Sequence, residues 1–102
     1  MALIPKSEID DFIKTSHGWN YIDEKLKKTF HFKTYMESIE FINELAKVAE
    51  RLNHHPDMVV GWCKIDIYFT SHDLGGVTEG CLHMAREADK VCLLYTSPSP
   101  RD

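Results

Sequence analysis

The chain has 102 residues, 43% of them hydrophobic and 27% charged, a composition that suits one compact domain with a sizeable core. Its formal net charge of -4 argues against a general nucleic-acid binder, which needs basic side chains to displace counterions from the phosphates. No apolar run is long enough for a transmembrane helix, and residues 1–11 do not follow a signal-peptide pattern.

The three cysteines stand far apart in the sequence, at Cys63, Cys81 and Cys92, and no two of them form a Cys-x-x-Cys pair. Their odd number and wide spacing argue against a disulfide framework and against a structural zinc site. Reduced thiols are typical of the cytoplasm and the nucleus. We therefore expect a cytoplasmic protein, with the nucleus as a further location.

The first predicted elements, in chain order, are a short acidic helix and two strands, over residues 7–14, 19–22 and 26–32. In the second strand, Phe30 and Phe32 alternate with Thr29 and His31. Because successive side chains of a strand point to opposite faces, this spacing predicts one apolar face and one polar face.

The clearest helical pattern is that of Thr34 to Leu52, which begins with a candidate capping box formed by Thr34 and Glu37. Its apolar residues cover about half of the circumference, more than the roughly 100° stripe that a surface helix needs. One interpretation is a helix lying flat on a sheet, and another adds a second apolar neighbour, such as another subunit. We expect the second, with the outer contact made by Phe41, Leu45 and Val48.

The remaining pattern predicts a loop, two strands and a final helix, over residues 53–57, 58–60, 64–71 and 77–92. Cys63, Ile65, Ile67 and Phe69 alternate with polar residues, so the last strand has one core face. The whole order predicts an α+β fold, a four-stranded antiparallel sheet with helices packed on one face. We assign residues 1–92 to a single domain and interpret the Ser-Pro-rich segment 93–102 as a disordered or non-native tail.

The histidines carry the strongest chemical signal. Asn53-His54-His55-Pro56 follows the long helix, and His72 follows the last strand. Imidazoles titrate near neutral pH, and loops at the ends of rigid elements commonly hold reactive groups, so His54, His55 and His72 predict a site for proton transfer. Glu50 lies one helical turn before the pair, where its carboxylate is able to reach an imidazole and fix its tautomer.

Two other interpretations of these histidines stay open. In the first they are surface residues, which is how we interpret His17, His31 and His83. In the second the three imidazoles hold zinc, with water in the open position. Because adjacent histidines tend to point in different directions and the sequence lacks a His-Glu-x-x-His motif, the metal site is the less favoured.

Segments 50–57 and 70–78, which contain the three histidines, resemble the pterin-4a-carbinolamine dehydratase family, as do Gly18-Trp19 and Phe30-His31-Phe32. The resemblance implies the same α+β fold and a dimer or tetramer. It implies dehydration of a 4a-hydroxytetrahydropterin to the quinonoid dihydropterin, which recycles the pterin cofactor of aromatic amino acid hydroxylases. No metal or organic cofactor is implied.

By the same resemblance, His54, His55 and His72 are the acid-base and binding group. The residues implied to bind the pterin substrate are Asn53, Thr70, Ser71, Asp73 and Glu50. Two positions depart from the family: Asn53 stands where Asp is frequent, and Cys81 stands in place of an acid.

Some members of this family also serve as a dimerisation cofactor for a homeodomain transcription factor. This alternative is a binding-module function, and it would use a helical face rather than the histidines. The expected partners are therefore a pterin substrate, further copies of the chain and, in the alternative, a transcription factor. Direct contact with nucleic acid or a membrane is not expected.

Overall fold

The computed structural model describes residues 2–94, so nearly all of the predicted tail lies outside the described residues. The elements of this part of the chain are α1 Lys6–Thr15, β1 Asn20–Ile22, β2 Lys25–His31, α2 Tyr35–Leu52, β3 Asp57–Gly61, β4 Lys64–Phe69 and α3 Glu79–Cys92. Each predicted element is present, with ends shifted by at most two residues. Within residues 2–94, the helices lack the length and apolar character needed to cross a membrane.

The strands form one antiparallel sheet in the order β1-β2-β4-β3. The predicted α+β class is therefore confirmed. In the central pair, Leu26 lies opposite Phe69 and Phe30 lies opposite Ile65. All four side chains are buried, since the period-two pattern directs them to the face covered by the helices.

Two tight turns set the lengths of the strands. Asp23 and Glu24 join β1 to β2 with φ values of 52° and 63°, the backbone that a two-residue hairpin requires. Trp62 and Cys63 join β3 to β4, and Cys63 has a φ of 61°. It was predicted to belong to the core face of β4, but it lies in this turn and is half-buried, because the strand begins one residue later.

A single hydrophobic core lies between the sheet and the helices. The opposite face of the sheet is polar: the Thr29 hydroxyl donates to the Asp66 carboxylate at 2.6 Å, and the Lys27 ammonium lies over the Tyr68 ring. Period-two alternation therefore separates the two faces as the sequence predicts.

α2 begins at Thr34, whose hydroxyl oxygen accepts a hydrogen bond from the Glu37 backbone N–H at 3.0 Å. This half of the predicted capping box is confirmed. The reciprocal half is missing, since Oε1 of Glu37 is buried without a hydrogen-bond partner.

The predicted outer contact of α2 is wrong. Phe41 and Leu45 are fully buried and Val48 is 8% exposed, all within the core of one chain. The physical reason is that α3 packs beside α2, so the sheet and α3 together cover the wide apolar face. The width of that face is thus explained without a second subunit.

We expect Leu45→Ala to lower the free energy of unfolding by about 2–5 kcal/mol, because it leaves a cavity in the core. Asn43→Ala, an exposed change on the same helix, is the matched control and should stay within about 0.5 kcal/mol of the parent. Urea denaturation measures both. Leu45→Glu should unfold the chain; a folded variant that sediments as a smaller species would instead place Leu45 at a subunit contact.

Candidate active site

The end of α2 fixes the backbone of the histidine pair. Asn53 adopts the left-handed conformation, with φ 52° and ψ 45°, which asparagine tolerates better than most residues. The His54 backbone N–H donates to the carbonyl of Ala49 at 3.1 Å, so the chain turns back over the last helical turn. Pro56 disfavours a helical backbone at His55, as the sequence predicts, and β3 begins at the next residue, Asp57.

His54 points into the protein. Its half-buried ring stacks on Phe69, with ring centroids 6.2 Å apart and planes 19° apart, and its Nε2 lies 3.3 Å from Sγ of Cys81. Burial lowers the pKa of His54 below its ordinary value of 6.5, and the neighbouring His55 and His72 lower this pKa further. The imidazole is therefore predominantly neutral at pH 7.

His55 points the other way, to the exposed surface, where its Nε2 lies 2.5 Å from Oε2 of Glu50. The predicted contact between Glu50 and an imidazole is confirmed, and the imidazole is that of His55. This carboxylate fixes the ring orientation and the tautomer of His55.

His72 also has a carboxylate partner, because its Nε2 lies 3.2 Å from Oδ2 of Asp57. Asp57 begins β3, and its pairing with Tyr68 brings the histidine pair and the end of β4 to the same edge of the molecule. The sequence interpretation missed Asp57 as a partner. Its position directly after His-His-Pro was the available signal.

The loop that carries His72 and Asp73 is held by its own backbone. The Ser71 N–H donates to the Gly76 carbonyl at 2.7 Å, and the Gly75 N–H donates to the Ser71 carbonyl at 2.8 Å. Gly75 has a φ of 70°, so this turn suits a residue without a Cβ. His72 therefore lies in a short loop after β4 whose backbone is held by hydrogen bonds.

A cavity of about 440 Å³ lies beside His54. The residues that line it come from the end of α2, from the loop after β4 and from α3: Leu52, Asn53, His54, Ser71, Asp73, Leu74, Gly80, His83 and Met84. Of the predicted site residues, Asn53, His54, Ser71 and Asp73 therefore share this cavity. His55, His72 and Glu50 are not part of its lining and are exposed nearby.

Thr70 has a different position. It is buried, and its hydroxyl lies 3.0 Å from the Glu24 carbonyl and 3.2 Å from the Gly76 carbonyl, to which it donates. These bonds join the β1–β2 turn to the loop after β4. The hydroxyl is thus occupied by backbone contacts, whereas Ser71 borders the cavity.

Two residues of α3 complete the site and were not predicted as members. Cys81 is fully buried and contacts His54. His83 is exposed, as predicted, and also lines the cavity with Gly80 and Met84. Gly80, His83 and Met84 are spaced i, i+3 and i+4, which places them on one face of the helix. This spacing was the signal in the sequence that they border a common site.

Within residues 2–94, no cluster of three or more His, Cys, Asp or Glu side chains is arranged to hold a metal ion. The ring nitrogens of the three histidines instead face different partners: Cys81, Glu50 and Asp57. What the arrangement offers is one neutral, half-buried imidazole at a cavity and two exposed imidazoles oriented by carboxylates. This set is suited to moving protons.

Comparison with known proteins gives a consistent result. The family model described as pterin 4 alpha carbinolamine dehydratase matches residues 2–91. A relative from Sulfolobus acidocaldarius that carries this family's name is 35% identical over 88 residues, covering 86% of this chain and 97% of its own. One from Nostoc punctiforme is 36% identical over 89 residues, covering 87% and 96%.

Solved structures with the same fold include a transcriptional coactivator/pterin dehydratase from Brucella melitensis. It superposes with a TM-score of 0.84 at 28% identity and covers 88% of this chain and 98% of that protein. A pterin dehydratase-like RuBisCO assembly factor of the alpha-carboxysome, 21% identical with a TM-score of 0.61, shares the fold over 72% of this chain and 86% of its own. The match to the family model over residues 2–91 and the two relatives together show that this chain belongs to the pterin 4 alpha carbinolamine dehydratase family.

Proposed function

We propose that the chain dehydrates a 4a-hydroxytetrahydropterin to the quinonoid dihydropterin. The observation that carries this proposal is the neutral, half-buried His54 at the wall of a cavity, in a chain of this family. A volume of about 440 Å³ is within the usual range for small-molecule sites, and its polar groups come from three separate elements.

The reaction needs one proton delivered to the 4a-hydroxyl, so that it leaves as water, and one proton removed from a ring nitrogen. A neutral imidazole is able to accept a proton, and an imidazolium is able to donate one. We assign the accepting role to His54, because its surroundings disfavour the charged form. His55 and His72, each oriented by a carboxylate, are then the candidates for the donor.

The remaining polar residues would bind the substrate. Asn53, Ser71 and Asp73 border the cavity, and Glu50 would act through His55. For Thr70 we now favour a supporting role, since its hydroxyl contacts the backbone of the loop. The chain itself supplies every proton-transfer group that this scheme needs, so no metal or organic cofactor enters it.

A second candidate function is a binding module for a transcription factor. The observation that favours it is the similarity to the Brucella melitensis protein, which is described as a transcriptional coactivator as well as a pterin dehydratase. The two functions are compatible in one chain. We propose a cytoplasmic location for the enzyme, consistent with the odd number and wide spacing of its cysteines, and the nucleus as well for the second function.

Replacing His54, His55 or His72 by Ala should each lower the dehydration rate by one or more orders of magnitude, within the roughly 10²–10⁴-fold range of acid-base groups. Chemically generated 4a-hydroxytetrahydropterin is the substrate for this assay. His31→Ala, an exposed change at the end of β2, is the matched control and should turn over like the parent. Three variants as fast as the parent would overturn the assignment, and a pure binding module would show no turnover at all.

Metal removal should leave turnover unchanged, because the histidine nitrogens face separate partners rather than a common point. The measurement is the dehydration rate before and after exhaustive dialysis against a chelator, together with elemental analysis for zinc. Loss of activity on chelation, followed by recovery with added zinc, would support the metal interpretation instead.

We also propose that the chain assembles as a dimer or tetramer through β3, the strand at one edge of the sheet, and the turn that follows it. The edge strand β3 and its turn expose Val59, Val60 and Trp62, with 59%, 44% and 83% of each side chain accessible. An unpaired apolar edge strand is a surface at which another chain is able to add.

Sedimentation at high micromolar concentration should therefore show species larger than the monomer. Val59→Lys should shift them to smaller species, since a charged side chain on an edge strand opposes pairing. Ile22→Lys makes the same change on the other edge strand, where 46% of the isoleucine is accessible, and should have no effect. A parent protein that sediments as a monomer contradicts this proposal.

A further inference from the structure

Cys81 occupies an unusual place for a cysteine in this site. Its side chain is fully buried in the first turns of α3, with Sγ 3.3 Å from Nε2 of His54 and 3.5 Å from the Thr78 hydroxyl. Each of the other two site histidines has a carboxylate oxygen against its Nε2. His54 alone among the three has a thiol there, at a position where the family resemblance leads one to expect an acid.

The difference between a thiol and a carboxylate is one of charge. A carboxylate within hydrogen-bond distance of an imidazole stabilises the imidazolium form. A protonated thiol carries no charge and is a weak hydrogen-bond donor and acceptor. It therefore orients a ring nitrogen without favouring a positive charge on the ring.

We propose that Cys81 is the positioning residue of His54: its neutral thiol holds Nε2 in the protein interior and leaves Nδ1 as the ring nitrogen available to the substrate. This inference rests on the proposed function for its catalytic consequence. The contact itself does not depend on the substrate.

The Thr78 hydroxyl allows the thiol proton to take two arrangements. In one, Thr78 donates to Sγ and Cys81 donates to Nε2, so the ring proton of neutral His54 is on Nδ1. In the other, Cys81 donates to the Thr78 oxygen and Nε2–H donates to Sγ, so Nδ1 presents a lone pair. The second arrangement is the one that lets Nδ1 accept a proton from the substrate.

Other charged or titratable groups also face this region, and each would affect the stability of a positive charge on His54. His55 and His72 disfavour its positive charge. The further groups that border the same cavity are Asp73 from the loop after β4 and His83 from α3, which itself lies 3.6 Å from Glu87. Since Cys81 is the group in direct contact with Nε2, a substitution of Cys81 should affect the pKa and the tautomer of His54 more than a change in any of these other groups.

The first test is a nuclear magnetic resonance titration of His54, which requires no substrate. Cys81→Asp places a carboxylate against Nε2 and should raise the pKa of His54 by about 1 or more. Cys63→Asp adds the same charge in the turn before β4, at the opposite end of that strand from Phe69, and is the matched control. A folded Cys81→Asp protein with an unchanged pKa for His54 would overturn the proposal.

Cys81→Ser and Cys81→Ala decide the matter if the aspartate variant fails to fold. Serine keeps a neutral partner, so the ring nitrogens should report the parent's tautomer. Alanine removes the partner, so the balance between the Nδ1–H and Nε2–H tautomers should change, as read from the imidazole ¹⁵N shifts. An alanine variant with the parent's tautomer balance would show that Cys81 does not position the ring.

Turnover then tests the catalytic consequence. In the parent, kcat/KM should fall on the acid side at a pH below 6.5, where His54 becomes charged. Cys81→Asp should move this limb to higher pH, while Cys81→Ser should leave its position unchanged. A limb that stays in place in Cys81→Asp, although the titration shows a raised pKa for His54, would overturn the catalytic role of the pair. A parent without turnover would count against the proposed function and leave the titration result intact.

Discussion

The site depends on one backbone conformation, the left-handed turn at Asn53. It ends α2 and sends the next two side chains in opposite directions. His54 turns inward against Phe69, and His55 turns outward to Glu50. If the helix continued through these residues, their side chains would be rotated by only about 100° from each other. They would then not be separated between the interior and the solvent in this way.

That separation gives the histidines different electrostatic surroundings. His54 loses hydration and lies near two other imidazoles, both of which disfavour its charged form. His55 and His72 remain accessible and face carboxylates. A site that needs both a proton acceptor and a proton donor requires groups in different surroundings, and the turn at Asn53 provides them.

The fold could be predicted from local patterns, because each pattern reports on which face of an element is buried. The alternation around Phe30 and the polar cap at Thr34 depend on near neighbours, and the structure confirms both. What covers α2 could not be predicted in this way. The helix pattern reports how wide the apolar face of Leu45 and its neighbours is, but not that α3 packs beside it.

In the candidate site, too, contacts between residues close in sequence could be predicted, whereas contacts between distant residues could not. Glu50 and His55 are close in sequence, and their contact follows from helical spacing. The contact between His54 and Cys81 joins residues 27 positions apart and depends on where α3 crosses the sheet, which no local pattern specifies. The family resemblance implies that Thr70 and Ser71 both bind the substrate, yet adjacent residues at the end of a strand face opposite sides, and of the two Ser71 borders the cavity.

The far half of α3 has its own attachment to the sheet. The Asp89 carboxylate accepts hydrogen bonds from Trp19 Nε1 at 2.9 Å and from Lys28 Nζ at 2.7 Å, on the core side of β2. Together with Cys81 near the start of the helix, this gives α3 two points of fixation. A helix held at two points along its axis is prevented from sliding or rotating by one residue, a slip that would turn its side chains by about 100°. The distance from thiol to imidazole is therefore set in part by an ion pair at the other end of the helix.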